Sequence, residues 1–343
     1  MKPRPSPAPA ITGVPARLRP HLTRLTVLLI VFSAGYSVGI MSSSSVRPSS
    51  TRPSQTVIRP HAAHLTVSGE ANGSAAAATA NYPRSPPHDL FRFREECGEA
   101  IPSDAVVATL LDKVFDGESP YEKFPSPHTA ALLRPPAARP RGWGSTGAVF
   151  AELIEQVRPR VIVELGAFLG ASALHMAAVS RNLSLSPPPA ILCVDDFRGW
   201  PAFRAARFRR DVPPPRHGDA LLLPQFMSNV AAAWRDGDGE VMPMPFSTAS
   251  ALAALCEWGI YADLIEVDAG HDFHSAWADI NLAWAVLRPG GVMFGHDYFT
   301  AADDRGVRRA VTLFAKVKGL TVRPNGQHWV LSPKPLRVSA AGE

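Results

Sequence analysis

The chain has 343 residues, of which 46% are hydrophobic and 19% charged, a composition typical of one or two globular domains. Its net charge of +5 is unevenly distributed, because residues 1–69 hold eight Lys or Arg and no Asp or Glu, which leaves −3 for residues 70–343. The positive charge therefore belongs to the N-terminal tail. The remainder lacks the basic surface typical of nucleic-acid-binding proteins, so we expect no nucleic acid partner.

An uncharged segment, Leu25 to Met41, follows five basic residues near the N-terminus. Its length is at the short limit of a membrane-spanning helix, and basic residues before a span favour a cytosolic N-terminus. We therefore predict a cytosolic tail at 1–24 and a single-pass anchor at 25–41, with the rest of the chain in the lumen of the Golgi or ER. A cleaved signal peptide, or a transit peptide for a chloroplast or mitochondrion, remains an alternative.

Two segments lie between the predicted anchor and residue 142. Residues 42–87 are rich in Ser, Ala, Pro and Arg without apolar periodicity, which predicts a disordered stem. Residues 88–141 predict a helical extension or lid that includes an amphipathic helix at 105–115. Glycosylation sequons at Asn72 and Asn182 fit a luminal location.

The chain contains three cysteines, Cys97, Cys193 and Cys256. Their number and spacing do not indicate a disulfide framework. Cys193 lies in an apolar stretch, so we expect it to be a buried small hydrophobic residue.

From about residue 142 to residue 335, predicted strands and helices alternate, which indicates a doubly wound, mostly parallel, Rossmann-like α/β sheet. Asn325-Gly326 is a hairpin signal, so we expect the last strand to run antiparallel to its predecessor. The predicted strands are 161–164, 190–195, 240–244, 262–268, 290–296, 320–324 and 328–331. The predicted helices are 148–156, 170–181, 219–235, 247–257, 273–287 and 303–317.

The most informative motif is VIVELGAFLGASA, from Val161 to Ala173. It predicts a buried strand ending at Glu164, then a turn flanked by Gly166 and Gly170, then a helix. The spacing E-x-G-x-x-x-G differs from the dinucleotide fingerprint G-x-G-x-x-G. An acid before the first glycine suits a ligand with an ammonium and hydroxyl groups. An ordinary strand-to-helix turn without a ligand is the alternative.

Acidic and polar residues also follow the next two predicted strands. Ligands of open α/β sheets bind at the carboxyl ends of the strands. Asp195, after the second strand, could accept both hydroxyl groups of a ribose, or it is a solvated loop carboxylate. Ser247, after the third strand, could help to frame a base, although it also suits a helix N-cap.

A second polar group follows the fourth and fifth strands, and includes Asp268, His271, His296 and Asp297. Asp268 and Asp297, with His296 beside them, predict a site for Mg²⁺, which prefers oxygen ligands. His271 could act as a general base on a substrate hydroxyl. Alternatively, His271 and His274 form a hydrogen-bonded pair that caps the next helix.

The loop from Phe197 to Leu223 is rich in arginine, and is either a lid for an acidic or phosphorylated substrate or a solvated basic surface. Aromatic residues appear few near the predicted site apart from Phe273, Tyr298 and Phe299, so a phenolic substrate is not favoured over a sugar.

Residues Trp143 to Leu331 resemble the class I S-adenosylmethionine-dependent methyltransferases. VIVELGAFLGAS is similar to their first motif. DLIEVDAGHDFH, followed by RPGG and GHDYF, resembles a subgroup of small-molecule and sugar O-methyltransferases, some of which depend on Mg²⁺. The N-terminal anchor and stem resemble those of membrane-tethered plant enzymes.

The resemblance implies roles for individual residues. Glu164, Gly166 and Gly170 would hold the methionine part of S-adenosyl-L-methionine, and Asp195 its ribose. Asp268 and Asp297 would bind metal, with His271 as the base. His296 stands where metal-dependent relatives often carry an acid.

We therefore predict a membrane-anchored methyltransferase that transfers a methyl group to a hydroxyl of a small molecule or carbohydrate. The alternatives are a catalytically inactive protein with the same fold and an NAD-dependent oxidoreductase. The sequence gives no indication of the oligomeric state.

Overall fold

The computed structural model describes residues 96–336, except residue 138 and residues 234–240. The predicted tail, anchor and stem at 1–24, 25–41 and 42–87 lie outside the described residues. Within the described part of the chain, no helix has both the length and the apolar character needed to span a bilayer.

A seven-stranded sheet forms the centre of the domain, with the strand order β3-β2-β1-β4-β5-β7-β6. Strands β1 to β5 pair in parallel, and β7 pairs antiparallel with both β5 and β6. The predicted doubly wound, mostly parallel sheet closed by a C-terminal hairpin is confirmed. The strands are β1 (Val161–Leu165), β2 (Ala190–Val194), β3 (Val241–Met244), β4 (Ala262–Val267), β5 (Leu287–Gly295), β6 (Val322–Asn325) and β7 (His328–Leu331).

Helices cover both faces of this sheet. Successive residues of β1 point to opposite faces, so Val161 and Val163 pack with the second helical layer while Ile162 packs with the first. The first layer contains α3, α4 and α5, and the second contains α6, α7, α8 and part of α1. The helices are α1 (Val106–Phe115), α2 (Pro127–Ala130), α3 (Ala148–Val157), α4 (Ala171–Asn182), α5 (Leu222–Ala233), α6 (Thr248–Glu257), α7 (Phe273–Val286) and α8 (Gly306–Lys318).

The predicted hairpin joins β6 to β7. Asn325 pairs with His328 across the turn, and Gly326 adopts a φ of +61°, a conformation that glycine reaches without steric cost. The indole of Trp329 is completely buried and donates a hydrogen bond to the carbonyl oxygen of His296 (3.2 Å). The hairpin is thereby tied to the end of β5, where the polar residues lie.

A disulfide bond joins Cys97 to Cys256, which contradicts the expectation drawn from the cysteine count. The two cysteines are 159 residues apart, and no local spacing signal can reveal a pair at that separation. Cys193 is free and buried, as predicted.

The disulfide begins a segment, residues 96–141, that wraps the sheet. The backbone N–H of Gly98 donates to the carbonyl oxygen of Cys256 (2.8 Å), and that of Ile101 donates to Gly259 (3.0 Å). The amphipathic helix predicted at 105–115 is present as α1, and it buries Val106 and Leu110 in the core. This segment is therefore part of the folded domain.

Candidate functional site

A cavity of about 840 Å³ lies at the carboxyl ends of the parallel strands. It is lined by one polar or glycine residue from each of five strand ends: Gly166, Asp195, Ser247, Asp268 and Asp297. Its volume is within the range of pockets for small molecules and cofactors. The cavity thus brings together most of the site residues that the sequence predicts.

The two glycines of the first motif have different surroundings. Gly166 has a φ of +94°, and a Cβ atom there would lie 1.9 Å from the carbonyl oxygen of Asp268, so no other residue fits. Gly170 precedes α4 with a φ of +85° and faces Phe226 in the core. Gly170 is absent from the cavity lining, so it shapes the turn, whereas Gly166 lies at the cavity.

Glu164 is the penultimate residue of β1, which ends at Leu165, one residue later than predicted, and it is only 1% exposed. Its carboxylate accepts hydrogen bonds from the hydroxyl of Ser172 and from the thiol of Cys193 (3.3 Å to Sγ). Burial raises the pKa of Glu164 to about 7, although both hydrogen bonds oppose the shift. Ser172 lines the cavity and Glu164 does not, so Glu164 acts on the cavity through the Ser172 hydroxyl.

Asp195 lies at the end of β2 with both carboxylate oxygens held by the backbone. Oδ2 accepts from the N–H of Phe168 (2.9 Å) and Oδ1 from the N–H of Phe197 (2.7 Å). Burial raises the pKa of Asp195, and the two backbone hydrogen bonds oppose this. Each carboxylate oxygen can accept a further hydrogen bond, so Asp195 can bind a pair of neighbouring hydroxyl groups in the cavity.

Ser247 is the N-cap of α6. Its hydroxyl oxygen accepts a hydrogen bond from the backbone N–H of Ser250 (3.2 Å), which is the capping role considered from the sequence. It also lines the cavity, and it is the contribution of the β3 end to that surface.

A cluster of two acids and two histidines occupies the ends of β4 and β5. His271 Nε2 lies 3.0 Å from Asp297 Oδ2, and His296 Nδ1 lies 3.3 Å from the same oxygen. Asp268 Oδ1 lies 3.9 Å from His271 Nε2 and from His296 Nδ1. Asp297 therefore faces both imidazoles, and Asp268 is the more distant acid.

The cluster shifts the ionisation of its acids in opposite directions. Burial raises the pKa of Asp268 to about 6, against the attraction of His296 and His271. Burial also acts to raise the pKa of Asp297, but the nearby imidazoles of His271 and His296 and the hydrogen bond from Thr300 outweigh it and hold that pKa well below its usual range. Asp297 therefore remains ionised to lower pH than Asp268, and its interaction with His271 raises the pKa of His271.

Three side chains, Asp268, His271 and Asp297, place their ligand atoms within 4.8 Å of one another. The set predicted from sequence contained His296 in place of His271, and His296 Nδ1 lies at similar distances from the two acids, 3.9 Å from Asp268 and 3.3 Å from Asp297. Two carboxylates and one imidazole are less suited to Mg²⁺, which prefers oxygen, than to Mn²⁺ or another transition metal. The presence of Mg²⁺ stays a prediction.

His274 is exposed and is absent from the cavity lining. The N-cap of α7 is Asp272, which accepts from the backbone N–H groups of His274 (2.9 Å) and Ser275 (3.1 Å). The capping role considered for His271 and His274 thus belongs to the aspartate between them.

Sequence reasoning missed one wall of the cavity. We call it the aromatic wall; it consists of Trp143, Phe168, Trp200, Phe203 and Phe208. The expectation of few aromatic residues near the site was wrong, because the segment before α3 and the loop after β2 fold over the strand ends. The three aromatic residues named from the sequence, Phe273, Tyr298 and Phe299, do not line the cavity.

Residues 163–298, from β1 to just beyond β5, match a family model described as a methyltransferase domain. The matched residues include the ends of β1, β2, β3, β4 and β5, which line the cavity. No curated protein sequence matches the chain.

Solved structures of O-methyltransferases are similar to the chain at low identity. The O-methyltransferase from Bacillus cereus, in complex with SAH, is 17% identical, with 67% of this chain and 97% of that chain covered and a TM-score of 0.40. TomG from Streptomyces achromogenes, an O-methyltransferase involved in tomaymycin synthesis and solved with SAM, is 15% identical, with 67% and 96% covered and a TM-score of 0.40. Such distant likenesses do not bear on substrate.

Proposed function

We propose that this protein is an S-adenosyl-L-methionine-dependent O-methyltransferase that acts on a hydroxyl group of a small molecule. The observation that carries the proposal is the meeting, in one cavity of a methyltransferase domain, of a backbone-held acid (Asp195) and an acid-paired histidine (His271). The first suits the ribose hydroxyls of the cofactor, and the second suits the hydroxyl of an acceptor.

The donor set of the cavity fits S-adenosylmethionine. Asp195 has one free acceptor position on each oxygen for the ribose hydroxyls. Gly166 and Ser172 lie where the methionine part would bind. Glu164 orients Ser172 by accepting a hydrogen bond from its hydroxyl. When bound, the cofactor supplies a methyl group on a positively charged sulfur, which makes the carbon electrophilic.

His271 is proposed to accept the proton of the substrate hydroxyl. Its Nε2 faces Asp297, so Nδ1 is the nitrogen left to accept a proton. With the cofactor held by Asp195, Gly166 and Ser172, the proton lost by the substrate hydroxyl on methylation would be held on His271. Asp297 holds the ring in place and stabilises the imidazolium that results.

Calorimetry of the full-length protein with S-adenosylhomocysteine tests the cofactor assignment. We expect saturable binding, and no binding of NADH under the same conditions. Binding of NADH alone would support the oxidoreductase alternative. Binding of S-adenosylhomocysteine without methyl transfer to any hydroxyl compound would support the inactive protein.

A divalent cation at Asp268 and Asp297 is a second candidate feature, supported by the proximity of these two carboxylates to His271. Loss of turnover on chelation, followed by recovery with Mg²⁺ or Mn²⁺, would favour it. Full turnover in the presence of chelator would favour His271 as the base without a metal.

We also propose that the domain lies in the lumen of the Golgi or ER, behind an anchor at 25–41. The Cys97–Cys256 disulfide supports this location, because disulfides persist in oxidising compartments, and Asn182 of the Asn-Leu-Ser sequon is exposed. We expect endoglycosidase to change the electrophoretic mobility of the wild-type protein but not that of Asn182→Gln. We also expect the protein to stay in the membrane fraction after carbonate extraction. Import into chloroplasts or mitochondria would contradict the proposal.

A further inference from the structure

We propose that the methyl acceptor is a planar aromatic compound that carries an acidic group as well as the reacting hydroxyl. This inference rests on the proposed function and deepens it. It follows from the aromatic wall and from the arginine beside it, Arg207, which also lines the cavity.

Two tryptophans of the aromatic wall remain open to solvent although they line the cavity. Trp143 is 48% exposed and Trp200 is 51% exposed. Large aromatic side chains at the surface of a cavity are typical of binding sites, since they bury much area at little entropic cost. Both rings therefore present surface that a bound compound could cover.

The segment that leads to Trp143 is held against the domain by polar contacts. The buried amide of Gln225 accepts from the backbone N–H of Arg134 (2.7 Å), and that of Asn229 accepts from Ala137 (3.2 Å). Arg141 then forms an ion pair with Asp211 (2.6 Å).

The rings of the wall pack on one another as well. The Trp143 ring lies 5.5 Å from that of Phe168 and nearly parallel to that of Phe203 at 6.2 Å, between centroids. The wall is therefore a built surface with a defined shape, ready for a flat partner.

Trp200 connects the wall to the proposed base. Its ring centroid lies 6.0 Å from that of His271. A hydroxyl placed within hydrogen-bond reach of His271 would bring the remainder of the acceptor against the Trp200 ring. Aromatic rings prefer offset-stacked or edge-to-face contact at such distances, which suits a planar acceptor.

The polarity of the wall disfavours a sugar. Recognition of a sugar needs several hydrogen-bonding groups that converge on its hydroxyls, because unpaired polar groups are costly to bury. Near the wall, the Ser145 hydroxyl donates to the carbonyl of Trp143 (3.4 Å), and the Arg141 guanidinium is engaged by Asp211. The aromatic wall itself offers ring carbon over most of its surface, which matches an aromatic ring.

Arg207 provides a positive charge at the cavity that could bind an acidic group of the acceptor. It is exposed, its guanidinium lies 4.8 Å from the centroid of Phe208, and within the described residues it forms no ion pair. Guanidinium groups bind carboxylates with two parallel hydrogen bonds. Of the six arginines in the loop after β2, Arg207 alone lines the cavity, so it is the one that would meet the acceptor.

Calorimetry of the full-length protein, first saturated with S-adenosylhomocysteine, tests the inference with three probes: protocatechuate (ring and acid), catechol (ring alone) and galacturonate (sugar and acid). We expect protocatechuate to bind about tenfold more tightly than catechol, and galacturonate to bind weakest. Tighter binding of galacturonate than of protocatechuate, or no binding of protocatechuate, would overturn the inference. Failure of the first saturation would instead contradict the proposed function.

Variants distinguish a role of the aromatic wall in acceptor binding from an effect on folding stability. Trp200→Ala should weaken protocatechuate binding about tenfold, Trp200→Phe should restore most of it, and Leu313→Ala, an exposed apolar residue of α8, should change nothing. Arg207→Leu should abolish the preference for protocatechuate over catechol, whereas the matched Arg210→Leu should keep it. Equal effects of the two arginine variants would overturn the role of Arg207.

Discussion

The Nε2 atom of His271 lies 3.0 Å from the Oδ2 atom of Asp297, across the ends of two neighbouring strands, β4 and β5. Asp297 adopts a φ of +59°, in the left-handed region that aspartate tolerates better than most residues. Non-glycine residues in that region concentrate at functional sites, where surrounding contacts hold them. Here the hydrogen bond from the Thr300 hydroxyl and the close contact with the His271 imidazole do so.

Replacement of His271 by glutamine should lower kcat by about 100-fold to about 10,000-fold, the usual contribution of a general base, because no other group would accept the proton. The affinity for S-adenosylhomocysteine should not change. His274→Gln, three residues away and exposed, is the matched control and should retain kcat. Equal kcat values for the two variants would remove His271 from the proposed chemistry.

Replacement of Asp195 by asparagine should weaken S-adenosylhomocysteine binding by about 10-fold to about 100-fold, since an amide offers one acceptor oxygen where the carboxylate offers two. Calorimetry measures the change. Asp112→Asn, an exposed position on α1, should bind as the wild-type protein does. An Asp195→Asn protein with unchanged affinity would show that the ribose is held elsewhere.

Glu164 should make folding stability depend on pH. Its pKa is raised by burial from 4.5 to about 7, so its contribution is fully present below pH 4.5 and is lost as the pH rises through about 7. Between about pH 5 and about pH 8, the free energy of unfolding of the wild-type protein should fall by about 3 kcal/mol relative to that of Glu164→Gln.

Urea denaturation of both proteins across this pH range measures the difference. Glu155→Gln, an exposed glutamate on α3, should follow the wild-type protein at every pH. If Glu164→Gln also followed the wild-type protein, the Glu164 carboxyl would not carry the pH dependence.

Loss of the Cys97–Cys256 disulfide should reduce the free energy of unfolding by about 2–5 kcal/mol, because the bond closes a long loop and restricts the unfolded chain. The double variant Cys97→Ser/Cys256→Ser should therefore melt at a lower temperature. A reductant should lower the melting temperature of the wild-type protein and leave that of the double variant unchanged. A reductant effect of equal size on both would point to another cause.

Local patterns predicted the sheet well. The β-branched run before Glu164, the acids at the ends of β2, β4 and β5, and Asn325-Gly326 each gave the correct element, because each signal lies within a few residues. The acids at these strand ends also line the cavity, since parallel strands bring their carboxyl ends to one edge.

Contacts between distant segments were not predictable in this way. The Cys97–Cys256 pair and the aromatic wall both depend on how the segment 96–143 and the loop after β2 fold over the sheet. The periodicity of apolar residues within a segment does not show which distant segment it will contact. The choice between His271 and His296 as the partner of the two acids likewise rests on side-chain placement, which chain order does not fix.

The hydrogen bonds at Gly98 and Ile101 place the beginning of the described chain on one side of the domain. Both join the beginning of the described chain to the turn just before β4, at the amino ends of the parallel strands. The cavity opens at the opposite ends of those strands. None of the described residues from 96 to 140 lines the cavity, so a compound can enter it without displacing the disulfide-linked beginning of the described chain.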